Sequence, residues 1–503
     1  MRISGFSSGL DIDEMVKKLM KAQRVPLDKL NQKKTTIEWQ REQYRDLNLK
    51  IVDFRNNKLM NYSMSTAISA KKATVTGNTT AVSAKANPNA VTGSMSIEVT
   101  SLATAAVLKS SDSGGVGKVD TSKTLAELKG QLGYTGSGSL SFTIKNGDAP
   151  ETTITVNEND SLASLVETIN KSVANVNAFL DSETGKLSIT SKTTGEGSLS
   201  VTADAGALLT KFGLTGTDGD DAKVVINGIE TTRASNTFTE NGVEFTLNAA
   251  APGSISTINI GTDTDKIFDT IKSFITDYNG LLEAVNGKLN EEKFRKYTPL
   301  TSEQKEDMKD KEIELWEEKA KSGLLRRDST MTSMLSDMRL AAMTDVTVNG
   351  QKENLFAFGI GTGDWTQRGK LVIQDEAKLR AAIESDPDKV MALFTQQTSE
   401  TDPIEKKKAI LPDNGLFNRL STVLSNAVDS LSKKVGTSSY VTDKSAPLKP
   451  DSIMGEELRL LDNRITDMVQ LMARKEEQYY KQFTAMETAM NRYNSQSSAL
   501  FSS

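Results

Sequence analysis

Near the carboxyl end, Leu458, Ile465, Met472, Tyr479, Met486, Tyr493 and Leu500 recur at a constant spacing of seven. Such a repeat draws one narrow apolar stripe along a long helix, because 3.6 residues per turn returns every seventh side chain to nearly the same face. Leu461 and Met468 fill the partner position of the heptad, which then turns polar at Lys475 and Gln482. A seam that stays apolar at one position and becomes polar at the other suits a helix packing in an assembly better than a free two-stranded zipper. Part of it is expected to be exposed before assembly.

The amino end answers this pattern. Gly5 and Gly9 precede a helix start in which Asp11 can cap and Glu14 can close a capping box. Ile12, Met15, Val16, Leu19 and Met20 follow at helical spacing. Pro26 is expected to kink or restart the helix, after which Leu30, Ile37, Tyr44 and Ile51 recur every seven residues, with Leu47 and Phe54 between. The candidate packing residues are therefore Ile12, Met15, Leu19, Leu30, Ile37 and Tyr44 on the first helix. On the second they are Leu458, Ile465, Met472, Tyr479, Met486, Tyr493 and Leu500.

Between the ends the texture changes. From about Ala73 to Gly261 the chain is rich in Thr, Ser, Gly and Val, with period-two alternation at Met95/Ile97/Val99, Leu140/Phe142/Ile144 and Leu187/Ile189. Asn146-Gly147, Asn227-Gly228 and Asn241-Gly242 signal hairpins, because type I′ turns need positive φ at both central residues. The run Ser110 to Lys118 reads as a flexible boundary and Gly216 to Asp221 as its return, so one β domain is inserted into another. Within the insert, Leu162, Leu165, Val166 and Ile169 mark a short amphipathic helix.

Helical spacing returns at Asp265, with Ile267, Ile271, Phe274 and Ile275 on one face and Tyr278 following. A strongly charged helix comes next, opened by a capping-box pair at Thr301 and Gln304 and ended by Gly323. Short strands reappear from Thr347 to Ile373, and Asp375 starts a further helix.

Composition narrows the chemistry. At 503 residues the chain exceeds one hydrophobic core and is expected to form three or four domains. Histidine and cysteine are both absent, which removes Ser-His-Asp catalysis, thiol chemistry, disulfides and zinc or facial-triad metal sites. Lys+Arg total 61 against 66 for Asp+Glu, giving no basic excess for nucleic acid. The first residues do not read as a cleavable signal peptide, and no segment approaches about 18 uninterrupted apolar residues, so membrane insertion is not expected.

The remaining candidate chemistry is thin. Gly359 to Trp365 superficially resembles a phosphate loop but lacks the strand–loop–helix setting. Asp218, Asp220 and Asp221 lack the rest of a calcium loop, and Glu317 and Glu318 point about 100° apart on a helix. The methionines at 468, 472, 486 and 490 read as packing. Asn78-Thr79-Thr80 fits a glycosylation acceptor. No enzyme activity, metal or cofactor is expected.

Several stretches resemble the bacterial flagellar filament cap proteins, the hook-associated protein 2 family. They are ISGFSSGLDIDEMVKKLM at Ile3, VPLDKL at Val25, GSMSIEVTSLA at Gly93, FDTIKSFITDYNGLL at Phe268, WEEKAKSGLLRRD at Trp316 and FTAMETAMNRYNSQSSAL at Phe483. The segment from Leu162 to Ser191 is similar to the insert module of flagellins and hook-associated proteins named for its Ile-Asn pair, here Ile169 and Asn170.

The resemblance implies export by the flagellar type III apparatus with a cytoplasmic chaperone. It further implies a ring-shaped homo-oligomer, most often a pentamer, at the extracellular filament tip, where it promotes flagellin polymerisation and prevents leakage. A second reading, of the binding class, is an adhesin whose β-rich domains contact a host or mucus receptor, and the two readings can coexist. The expected fold is multidomain α+β: terminal coiled-coil-like helices, a mixed helical/strand central domain and two β-rich head domains, one inserted in the other. The expected boundaries are 1–43 with 455–503, 44–72 with 263–454, 73–112 with 222–262, and 113–221.

Overall fold

The computed structural model describes residues 11–63, 68–408 and 410–501, so Gly5 and Gly9 lie outside the described residues. The chain divides into two compact units, Met1–Ile68 with Thr264–Ser503, and Ser69–Asp263.

The first unit is mainly helical. Its α1 (Ile12–Asp53) begins where the Asp11 carboxylate accepts the Glu14 N–H, so the capping residue stands where the sequence places it. The helix then runs through Pro26 without restarting. Proline removes only the N–H that the Ala22 carbonyl would accept. Both residues are exposed, so water can satisfy that carbonyl.

Next come α2 (Thr264–Asn290), α3 (Ser329–Met343), α4 (Leu416–Val435) and α5 (Ile453–Phe501). On α2 the expected face is buried at Ile267, Ile271, Phe274, Ile275 and Tyr278. Phe274 meets Phe417 of α4 at a ring separation of 4.8 Å, and both rings touch Phe394.

The charged helix expected after Thr301 is two helices. The Thr301/Gln304 capping box is made, but it opens only Ser302–Glu306, and a second helix, Asp310–Lys321, starts afresh from Lys309. Short hairpins follow at Val346–Glu353 and Ile360–Ile373, and the Asp375 carboxylate caps the helix Glu376–Ser385. Arg419 on α4 is fully buried, and its guanidinium donates to the carbonyls of Thr344, Asp345, Leu411 and Pro412.

The second unit is a β structure with two hydrophobic clusters. The first is enclosed by a five-stranded antiparallel sheet and a three-stranded one. The larger sheet comprises β1 (Lys71–Gly77), β3 (Gly93–Ser101), β11 (Ala222–Ile226), β12 (Ile229–Arg233) and β15 (Ile255–Thr262). The smaller comprises β2 (Val82–Ala86), β13 (Thr237–Glu240) and β14 (Val243–Leu247). Met95, Ile97 and Val99 alternate inward from β3.

The second cluster, from Ala106 to Phe212, lies between two further sheets. One is ordered β10 (Leu214–Thr217), β4 (Ala105–Ser110), β8 (Leu187–Thr194), β7 (Val176–Leu180). The other is ordered β6 (Thr152–Asn157), β5 (Ser139–Asn146), β9 (Leu199–Ala205). The Leu162–Lys171 helix supplies Leu162, Leu165 and Ile169 to this core.

Two of the three Asn-Gly signals make the expected turns. Asn227 and Gly228 have φ of 49° and 82°, and Asn241 and Gly242 have 51° and 79°. Asn146-Gly147 does not, because β5 and β6 are joined by a longer loop and the Asn146 amide donates instead to the carbonyls of Ala174 and Asn175. An unanticipated turn of the same kind sits at Asn349-Gly350, with φ of 50° and 80°.

The run Ser110 to Lys118 is tied down. Gly115 and Val116 donate to the carbonyls of Lys211 and Gly185, and Val116 is buried. Its glycines serve close packing, since a Cβ at Gly114 would stand 2.4 Å from the Phe212 carbonyl oxygen.

Candidate functional site: the paired terminal helices

Within the first unit, α1 and α5 pack along one another, running antiparallel. Four side-chain ties fix the register. The Tyr480 hydroxyl donates to Asp13 at 2.8 Å, Lys475 to the Gln23 side-chain oxygen at 2.6 Å, Lys34 to Asp462 at 2.6 Å, and Lys33 pairs with Glu457 at 2.8 Å. From Asp13 through Gln23 to Lys33 and Lys34 on α1, the partners fall back on α5 from Tyr480 through Lys475 to Asp462 and Glu457. The Asp462 carboxylate holds the Lys34 ammonium above its ordinary value. These contacts are largely exposed, and exposed pairs contribute little stability individually.

The candidate residues divide into three groups. Ile12, Ile37, Tyr44 and Met472 are buried. Met15, Leu30, Leu458, Ile465 and Tyr479 are half-buried, as is Met468. Leu19, Met486 and Tyr493 are exposed, Tyr493 at 73%. The α5 backbone extends through Leu500, whose side chain lies outside the described residues. The helix pair thus buries or half-buries the α5 seam as far as Tyr479, while Met486 and Tyr493 beyond it are exposed.

Further apolar side chains that the heptad count leaves aside are also exposed on these helices: Val25 on α1, and Leu460, Val469, Leu471 and Met490 on α5. A cleft of about 470 Å³ opens between the helices, walled by Pro26, Leu30, Met468 and Leu471 and rimmed by Lys29, Arg464 and Asp467. A window of raw apolar content over 453–493 marks these residues, whereas a single stripe of period seven does not.

Deeper in the unit, α1 and the π-helical turn that continues it, Phe54–Leu59, carry a second stripe at the same spacing, and it is polar. Arg41 donates to the Val435 carbonyl, Asn48 to the Ser438 carbonyl and Arg55 to the Ser439 carbonyl. These bonds lay the end of α4 and the segment after it along α1. The Arg/Asn/Arg spacing of seven was available in the sequence, but polar residues at helical spacing ordinarily read as a solvated face.

No group of three or more metal-ligating side chains gathers among the described residues. Glu317 pairs with Lys305 and Lys321, the Asp221 carboxylate accepts the Glu196 N–H, and Gly359 precedes a hairpin strand. What the helix pair offers is surface: apolar side chains interleaved with charges.

The profile described as "Flagellar hook-associated protein 2 C-terminus" matches residues 219–495, more than half of the chain. The chain belongs to the flagellar hook-associated protein 2 family. The N-terminal profile of the same family matches residues 8–106, and the "Flagellin hook IN motif" matches residues 139–193. The chain is 31% identical to flagellar hook-associated protein 2 of Halalkalibacterium halodurans over 541 aligned positions, covering 99% of each chain. It is 25% identical to that of Escherichia coli, covering 79% of this chain and 81% of the other.

The crystal structure of the flagellar cap protein FliD D1-D2-D3 domains from Escherichia coli superposes with a TM-score of 0.53 at 23% identity. The match covers 79% of this chain and 97% of that one, and shows a shared multidomain α+β fold. Membership in the hook-associated protein 2 family makes this chain a structural component of the flagellum, outside the cell at the filament tip, and not an enzyme. Among the described residues no helix is long and apolar enough to cross a membrane.

Proposed function

We propose that this chain caps the distal end of the flagellar filament as a ring-shaped homo-oligomer, most simply a pentamer, and there promotes polymerisation of exported flagellin and prevents its leakage. The observation that carries the reading is the exposed apolar run Met486, Met490 and Tyr493 on α5, continuing a seam that is buried or half-buried as far as Tyr479. An apolar helix face left to solvent is most economically explained by a partner helix. The candidate packing residues Ile12, Met15, Leu19, Leu30, Ile37, Tyr44, Leu458, Ile465, Met472, Tyr479, Met486, Tyr493 and Leu500 then serve two purposes. The buried ones hold the terminal helices to each other and to the rest of the unit, and the exposed ones engage flagellin or neighbouring copies.

In this reading 1–43 and 455–503 form the leg, 44–72 and 263–454 the ring, and 73–112 with 222–262 the head that carries the insert 113–221. The two hydrophobic clusters of the second unit support the head and insert as separate cores, the insert's core also taking in Ala106 and Leu108 of β4 from before residue 113. Before export, a cytoplasmic chaperone of the type III apparatus covers the α5 stripe, which would otherwise be an aggregation risk. Rings or stacked rings of the purified protein in negative stain are expected. A strictly monomeric particle at all concentrations would remove the ring.

Adhesion through the head is a second function, favoured by the exposed apolar side chains Val91, Val173 and Ile229 on the second unit. Binding of the full chain to arrayed mucin glycans tests it, and a flat array removes it.

A further inference from the structure

The Ile-Asn pair that names the insert module does two different things. Ile169 is buried in the insert core. Asn170 is half-exposed, and its side chain closes on one backbone position of a strand: the Ala178 N–H donates to Asn170 Oδ1, and Asn170 Nδ2 donates to the Ala178 carbonyl at 3.1 Å.

That strand is β7, at the open edge of the sheet β10-β4-β8-β7. The register tells which of its backbone groups face outward. β7 pairs β8 antiparallel, and just beyond the strand ends Lys192 N–H donates to the Asn175 carbonyl and Asp181 N–H to the Lys186 carbonyl. Residues 175, 177, 179 and 181 therefore point their hydrogen-bonding groups at β8, and Val176, Ala178 and Leu180 point theirs away from it. The outward positions are three, and Asn170 occupies the middle one with a donor and an acceptor, as a neighbouring strand would.

We propose that Asn170 is an edge guard, a side-chain amide that takes the place of the next strand and stops a second copy of this chain from adding to β7. A strand joining an antiparallel edge needs successive outward positions two residues apart. With Ala178 occupied, no two adjacent outward positions of β7 remain free. The edge needs such protection, because its sequence Val-Asn-Ala-Phe-Leu is apolar but for Asn177, contains no charge and leaves Phe179 64% exposed on the solvent face. Crowded copies at a filament end would bring such edges together at high local concentration.

The test uses the full chain and the variant Asn170→Ala, with peptide-level hydrogen exchange over Val176–Leu180 and sedimentation as readouts. At low concentration the Ala178 amide is expected to exchange about tenfold faster than in the native chain. As concentration rises, protection should return together with an added association that the native chain lacks. A second substitution, Phe179→Lys, places a charge on the strand and should abolish that added association while leaving any ring formation unchanged. If Asn170→Ala fails to fold, Asn170→Gln, which moves the amide one methylene away from Ala178, is expected to show the same reversible association. Association identical to that of the native chain, or added association that survives Phe179→Lys, overturns the proposal.

Discussion

The Tyr44 hydroxyl donates to Asp328 Oδ2 at 2.5 Å, and the Lys434 ammonium reaches the same oxygen at 2.7 Å. One half-buried carboxylate thereby joins α1, the start of α3 and the last turn of α4, while its other oxygen caps α3 through the Met331 N–H. Lys434 also sits 4.7 Å over the Tyr44 ring. Burial alone would raise the Asp328 carboxyl, but the bonds from Lys434, Tyr44 and Met331 outweigh it and hold the group below the usual carboxylate range. Burial, with the Asp328 bond, pushes the Tyr44 phenol far above its ordinary value.

Tyr44→Phe should therefore destabilise the first unit by about 1–2 kcal/mol, the worth of one charge-assisted bond when the carboxylate keeps its other partners. All three tryptophans, Trp39, Trp316 and Trp365, belong to this unit, so their fluorescence during urea unfolding reads it selectively. An unchanged midpoint would mean that the network contributes geometry but no stability.

Arg419→Met should cost more, about 3 kcal/mol or above, because it strips donors from four carbonyls around a fully buried site. Arg419→Lys should rescue little, since a single ammonium cannot reproduce the planar fork. The same tryptophan-monitored unfolding measures both. Equal stability of the native and methionine variants would show that the carbonyls find other donors.

Asp413 supplies a pH-dependent tie. The Ser399 N–H and the hydroxyls of Thr398 and Ser399 donate to its carboxylate and lower it to about 2. A carboxyl depressed on folding contributes stability that is complete above its unfolded value of about 3.9 and is lost as pH falls through the folded value. The native chain should thus lose stability more steeply than Asp413→Asn between roughly pH 4 and pH 2. Parallel acid-unfolding curves for the two would contradict this.

How much of this was legible beforehand depends on whether a residue's role is periodic or singular. The terminal helices, the inward alternation on β3, β5 and β8, and the Asn227-Gly228 and Asn241-Gly242 turns follow from repeating patterns or from backbone conformations that few residues adopt. Arg419, Asp328 and Asn170 act once each, through partners as far as 284 positions away, and no local pattern marks them. Pro26 reads as a break because proline costs a hydrogen bond, yet an exposed helix face lets solvent supply the replacement. The stripe on α5 was plain, but which half of it stays exposed is decided by where α1 lies alongside it, and that is a tertiary fact.

The division of the stripe determines which substitutions test the filament contact. Met472 is buried and shares a cleft with Val16 and Met20 of α1, so Met472→Asp would place a carboxylate inside the chain's own helix pair at a cost of several kcal/mol. Loss of function in that variant would report on folding as much as on assembly. Met486 and Tyr493 are exposed, and aspartate at both should leave α5 helical and the tryptophan-monitored stability within about 0.5 kcal/mol of native. In a cell lacking the native protein, the double variant Met486→Asp/Tyr493→Asp should be secreted at normal level yet leave flagellin unpolymerised in the medium, because a charge on each residue opposes burial against a partner helix. Filaments of normal length in that strain would show that the far end of α5 does not engage the filament.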